Sequence, residues 1–304
     1  MEITTALIKE LREKTGAGIL DCKSALTETS GNMEEAEKIL RKKGLAAAAK
    51  KASRAAAEGL IGYKIDGATA ALVELNCETD FVAKTDDFGK ARQVLAQLVF
   101  ETASLGDVAD GDGEVVKALP APKELAASGS IGDWLQAATA KTGENTQLRR
   151  FVRLVAGQGA KLSLYAHPGD KTVVAIETVG CDDVLARDLA MHVAALAPLC
   201  ASREGVSAKA LADEREIARA KAVAAGKPEA VAEKMVEGMI GKWYGEVVLV
   251  DQAFAKDDSK KVSQVIAERG EKDARVVRFV RYKVGEGVER KQGDYAAEVA
   301  ALTK

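Results

Sequence analysis

Apolar positions in the first 44 residues fall at helical spacing in three short runs. Leu7, Ile8 and Leu11 share one face of a run from about Thr5 to Lys14, which Gly16 ends. Ile19, Cys22, Ala25 and Leu26 share the next, from about Ile19 to Glu28, and Gly31 closes its turn. Asn32 caps a third run, and Glu35 three positions on completes a capping box. Met33, Ala36, Ile39 and Leu40 face inward there until Gly44 stops the helix. Leu45 to Glu58 is alanine-rich and basic, which predicts a helical linker.

From Gly59 the period shortens to that of strands. Leu60 to Ile65 leads into Asp66-Gly67, a strong hairpin signal, and a return strand runs from Thr69 to Asn76. A helix from Asp86 to about Leu105 follows, with Val94, Leu95, Leu98 and Val99 as its buried stripe. Gly106 to Gly113 reads as loop, and Glu114 to Ser130 shows no pattern. Ile131 to Thr142 predicts a helix anchored by Trp134 and Leu135.

The strand–turn–strand–loop–helix order then recurs weakly. Lys161 to Tyr165, Pro168-Gly169-Asp170, Thr172 to Glu177, Cys181 and a helix through Leu185, Leu189, Met191, Val193 and Leu196 echo the first set. The β-prone Leu148 to Ala156 predicts an extra strand in this second copy. Ser207 to Ala225 and Pro228 to Tyr244 predict a projecting antiparallel helical pair. Its thin seam sets Leu211, Ile217 and Ala218 toward Val231, Met235 and Met239. A helix near Val262 to Arg269, a strand from Val276 to Val284 and a short helix capped by Asp294 complete the chain. The fold class expected is α+β, a duplicated core of small antiparallel sheets with helices.

Composition narrows the chemistry. Of 304 residues, 47% are apolar but only 4% aromatic, which favours alanine-rich helices over an aromatic-filled barrel. A net charge of -2 gives no general attraction to phosphate backbones, so no nucleic-acid partner is expected. The basic residues Arg41 to Lys43, Lys50, Lys51 and Arg54 lack interleaved aromatics and read as a solvated helical face. Cys22, Cys77, Cys181 and Cys200 form no Cys-x-x-Cys pair and have only His167 and His192 to join them, so neither a metal site nor a cofactor is expected. Scattered cysteines, no signal-peptide pattern and no long apolar window fit reduced thiols in a cytoplasmic protein away from membranes. Gly16 to Ser24 imitates a phosphate loop, but Cys22 stands where a glycine must precede the lysine, so nucleotide binding by this chain is rejected. No catalytic constellation assembles from these residues, so an enzyme is not expected.

The corner Glu74-Leu75-Asn76-Cys77-Glu78-Thr79-Asp80-Phe81-Val82-Ala83-Lys84 sets a carboxylate beside a large ring. The ring could enter a partner's pocket while the carboxylate competes there for a cation or donor. Alternatively, Phe81 staples the next helix, with Thr79 or Asp80 as N-cap.

These eleven residues resemble the hallmark segment of the bacterial elongation factor Ts family. The segment Leu11 to Leu26 resembles that family's second hallmark, in a ubiquitin-associated-like (UBA-like) module. Met191 to Ala195, Lys227 to Gly238, Tyr282 to Gly287 and Asp294 to Ala300 also match family segments. The resemblance implies a guanine-nucleotide exchange factor that binds elongation factor Tu, GDP-bound or nucleotide-free, and releases GDP by disturbing the magnesium and phosphate site. It implies that Thr79, Asp80, Phe81 and Val82 form the loop pushed toward that magnesium. It further implies partner contacts at Arg12, Ile19, Leu20 and Lys23, with His192 near the same surface. His192 reads equally as a satisfied surface or half-buried histidine, and Leu196 to Cys200 departs from the family pattern. The implied division is an N-terminal module and linker at 1–54, a core N-subdomain at 55–145 and a core C-subdomain at 146–204 and 245–285. A helical hairpin occupies 205–244, and a C-terminal module 286–304. In some members the hairpin is linked to dimerisation, so a homodimer through it is an expectation. The alternative function is an RNA-binding or ubiquitin-like adaptor using the N-terminal module.

Overall fold

The computed structural model describes residues 3–125, 129–226 and 228–288, without the side chains of residues 45, 47 and 49. Helix α1 spans Thr5–Thr15, capped by Thr4, whose hydroxyl accepts the Leu7 N–H, and ended by left-handed Gly16 at φ 68°. Helix α2 spans Ile19–Glu28. Helix α3 spans Met33–Lys51, so it runs through Gly44 rather than stopping there. Gly44 serves packing instead: a Cβ on it would lie 3.0 Å from that of Ala140 in a later helix. Half of the expected capping box forms. Asn32 accepts the Glu35 N–H, but its own N–H goes to the Thr29 carbonyl. Leu11, Cys22, Ala25, Leu26, Ala36 and Leu40 make the small core of this module.

The first sheet follows. Strands β1 (Glu58–Asp66) and β2 (Thr69–Cys77) form the expected hairpin, with Gly67 at φ 54°. A four-residue helix α4 (Asp80–Ala83) and helix α5 (Asp86–Glu101) come next. Strand β3 (Val108–Asp112) corrects the reading of Gly106 to Gly113 as loop. Its glycines hid it, yet Gly111 is there because a Cβ would overlap the Phe151 ring. Helices α6 (Gly113–Lys117) and α7 (Ile131–Thr142) lead to strand β4 (Gln147–Val155). The sheet order β1-β2-β4-β3 corrects a second expectation: β4 belongs to the first copy, inserted between β2 and β3.

The second sheet, in the order β5-β6-β9, contains β5 (Lys161–Ala166) and β6 (Thr172–Val179). Helix α8 (Asp183–Leu196) packs on it, and the pair α9 (Ala208–Ala224) and α10 (Glu229–Val247) is inserted after it. Ala218, Ala222, Val236 and Ile240 form the seam of that pair, whereas Ile217 and Val231, expected there, are exposed. Pro228 stands at the cap before α10 rather than inside it. Strands β7 (Ala253–Phe254) and β8 (Asp257–Lys261) make a small separate ladder. Helix α11 (Val262–Arg269) and β9 (Arg275–Lys283) close the described core. The expected helix capped by Asp294 lies outside the described residues.

Both central strands are buried on two faces. Ala71, Val73 and Leu75 of β2 pack with α5 and α7, while Ala70 and Leu72 face the other sheet. Val174 and Ile176 of β6 pack with α8 and α11, while Val173 and Ala175 face back. Burial on both sides explains why these strands read as continuous apolar runs instead of alternating ones. The layers are therefore helices, sheet, sheet, helices, an α+β arrangement. Among the described residues, no helix is long and apolar enough to cross a membrane.

Candidate functional site: an aromatic tip and a helical module

Strand β2 delivers the chain to Cys77, which is buried and whose thiol donates to the Thr79 carbonyl at 3.1 Å. Burial pushes that thiol's pKa up to about 12, so it stays neutral and inert. Thr79 then caps α4, its hydroxyl oxygen accepting the Val82 N–H at 3.4 Å. With so short a helix, residues 80 to 83 point in several directions. Ala83 is buried, and Val82 packs half-buried against the first core. Phe81 points away from both, 80% exposed. It does not staple the following helix, which has its own cap in Thr85.

Asp80 sits beside the ring and pairs with Lys84 at 2.6 Å, one turn on. The Lys84 ammonium holds the carboxyl below the usual carboxylate range, so Asp80 is ionised near neutrality. The pair is exposed, and such pairs exchange readily for other partners. The tip therefore presents an apolar disc and a negative charge side by side.

What holds the tip is a set of contacts that the sequence reading missed. The Glu144 carboxylate accepts the Glu78 N–H at 3.2 Å, the Thr79 N–H at 2.9 Å and the Thr79 hydroxyl at 2.6 Å. In return Glu78 accepts the Asn145 N–H at 2.7 Å. Asn145 is buried, and its side-chain amide donates to the carbonyls of Ala52 at 3.2 Å and Arg54 at 2.7 Å, just past α3. A glutamate following Gly143 offers no local signal of this, because its partners lie 65 and 66 positions upstream.

The N-terminal module presents Arg12, Ile19, Leu20 and Lys23 outward. Ile19 and Leu20 open α2 at 57% and 81% exposure, beyond what its small core needs. Ile19 and Lys23, four apart, share a face of that helix. His192 differs from its expected place near the surface. It is 1% exposed and stacks on Phe254, with ring centroids 5.8 Å apart. Its Nδ1 accepts the Ala255 N–H at 3.1 Å, which puts the proton on Nε2, donating to Gln252 at 2.8 Å. Both ring nitrogens are taken up by bonds to Gln252 and Ala255, so in this structure His192 lies beneath the surface and holds the β7–β8 segment in place.

In the second copy, Asp182 caps α8 through the Leu185 N–H at 2.7 Å, and the loop carries no aromatic. The acid–aromatic tip is thus confined to one copy.

A sequence model of the family described as elongation factor TS matches residues 78–286. The chain is 45% identical over 306 residues to the elongation factor Ts of Methylococcus capsulatus, covering all of this chain and 99% of that protein. It is 46% identical to that of Thioalkalivibrio sulfidiphilus, with the same coverage. It is 44% identical to that of Syntrophotalea carbinolica, covering both chains fully. With matches of this extent joined to a tip loop and an N-terminal helical module, the chain belongs to the elongation factor Ts family.

Proposed function

We propose that this protein is a guanine-nucleotide exchange factor that binds elongation factor Tu, with GDP or without nucleotide, and promotes GDP release. It makes and breaks no covalent bond. The observation that carries the reading is the 80% exposure of Phe81 on a loop that Glu144 anchors through the Thr79 N–H and hydroxyl. An exposed aromatic is costly to leave in water and suits a pocket elsewhere. Magnesium demands near-octahedral oxygen ligands at short distance, so small displacements around it weaken its hold on GDP. Phe81 is the wedge that displaces the surrounding element, and Asp80, released from Lys84, competes for the groups that position the metal. Arg12, Ile19, Leu20 and Lys23 dock the factor. Linkage requires that GDP weaken this complex as much as the complex weakens GDP, so the factor speeds equilibration and nucleotide concentrations decide the product.

The test is release of a fluorescent GDP from purified elongation factor Tu. The wild-type chain accelerates it, and Phe81→Ala abolishes most of the acceleration with the thermal midpoint unchanged. Equal acceleration by Phe81→Ala rejects the wedge.

A further inference from the structure

Phe81 has little packing of its own to hold its direction, since it is largely exposed. Its aim is set by the backbone of residues 78 to 80. That segment is gripped by one side chain from a different part of the chain, the Glu144 carboxylate, which accepts two backbone N–H bonds at 3.2 and 2.9 Å and the Thr79 hydroxyl at 2.6 Å. Bonds to an ionised acceptor are about twice as strong as neutral ones. The Thr79 hydroxyl commits its proton to Glu144 and so turns a lone pair toward Val82 N–H, completing the cap of α4. The grip continues toward the N-terminal module. Asn145, next in sequence, clasps the carbonyls of Ala52 and Arg54 at the end of α3, the helix that begins in the N-terminal module.

We propose that Glu144 is the positioning residue of the exchange tip, holding Phe81 at a fixed aim and, with Asn145, at a fixed register to the N-terminal module. This rests on the exchange reading above. Glu144 does not touch the partner's nucleotide site; it acts through Thr79 and Phe81. Misplacing a working group by about 1 Å costs up to about 100-fold in rate. Loss of the grip therefore lowers the maximal rate of GDP release, while docking through Arg12, Ile19, Leu20 and Lys23 is untouched.

The experiment measures fluorescent-GDP release from elongation factor Tu against concentration of the full-length factor, for wild type, Phe81→Ala, Glu144→Ala, Glu144→Gln and the double variant Phe81→Ala/Glu144→Ala. Glu144→Ala lowers the rate at saturation about tenfold or more, with the half-saturating concentration within about twofold of wild type. Glu144→Gln keeps the shape and, through its one oxygen, neutral bonds to the two N–H groups, while its amide nitrogen can only donate to the Thr79 hydroxyl; it lowers the rate about threefold, which keeps the test decisive should the alanine variant melt early. In the Phe81→Ala background, Glu144→Ala adds nothing, because the two act as one unit. A wild-type maximal rate in either Glu144 variant, or an undiminished Glu144 effect without the Phe81 ring, overturns the proposal. If wild type speeds release but Phe81→Ala is equally fast, the wedge reading has failed instead, and positioning fails with it.

Discussion

The Tyr282 hydroxyl donates to the backbone carbonyl of Phe151 at 2.9 Å. Tyr282 lies in β9 of the second sheet and Phe151 in β4 of the first, so one buried phenol ties the two sheets together. The Arg150 guanidinium lies over its ring, 4.0 Å from the centroid. Tyr282→Phe keeps the packing and deletes the bond, leaving a buried carbonyl partly unsatisfied. The expected cost is about 1–2 kcal/mol of unfolding free energy by denaturant titration, with the denaturant slope unchanged.

Leu20 is absent from the core of the N-terminal module and, among the described residues, is its most exposed large apolar side chain. Leu20→Ala should leave the thermal midpoint within about 1 °C, since exposed substitutions are within about 0.5 kcal/mol. It should raise the half-saturating concentration in GDP release severalfold with the maximal rate intact, the pattern of lost uniform binding. A reduced maximal rate at unchanged half-saturation would move Leu20 from docking to the exchange step.

His192 makes stability depend on pH. Burial lowers its pKa from 6.5, opposed by its bond to Gln252. In the unfolded chain the ring takes a proton near 6.5, whereas in the folded chain it resists until lower pH. Its contribution is therefore full above 6.5 and falls as pH drops below that value. Protonation would turn Nδ1 into a donor facing the Ala255 N–H. Asp188, a turn away, is pushed up by burial but held below 3.8 overall by Lys256 and Arg269, so its own loss comes at more acid pH. Thermal midpoints should fall between pH 7.5 and 5.5, and by less in His192→Gln.

Cys77 is buried, bonded and raised to about 12, beneath the tip it adjoins. The native protein should resist alkylation at Cys77 by iodoacetamide at pH 8 while half-exposed Cys200 reacts slowly. Peptide mass mapping reads both. Fast modification of Cys77 would mean that the loop opens often enough to release its grip.

Where local chemistry decides the outcome, the sequence was sufficient. The boundaries of α2, α7 and α11 agree with expectation, and Ser207 caps the helix that follows it. Thr79 is a cap too, but of the unexpected short α4, while Thr85 caps the helix from Asp86. Where distant contacts decide, it was not. Gly44 reads as a helix stop, yet it lies inside α3, closely packed against Ala140 nearly a hundred positions later. The β-prone run from Leu148 to Ala156 announces a strand but not which sheet receives it; pairing with β2 and β3 settles that. Phe81 and Asp80 were visible as chemistry, but Glu144 was not, since its significance lies wholly in what folds against it. His192 matched a familiar segment, and only burial reveals that both ring nitrogens are occupied.

The unbroken course of α3 through Gly44 sets a phase relationship. Its 19 residues extend about 28 Å, with one end inside the N-terminal module and the other clasped by Asn145. Each residue added to or removed from that stem would swivel Leu20 by about 100° around the axis relative to Phe81, and shift it by about 1.5 Å. The two surfaces are thus geared together, and the length of the stem is counted in whole turns, not merely in reach.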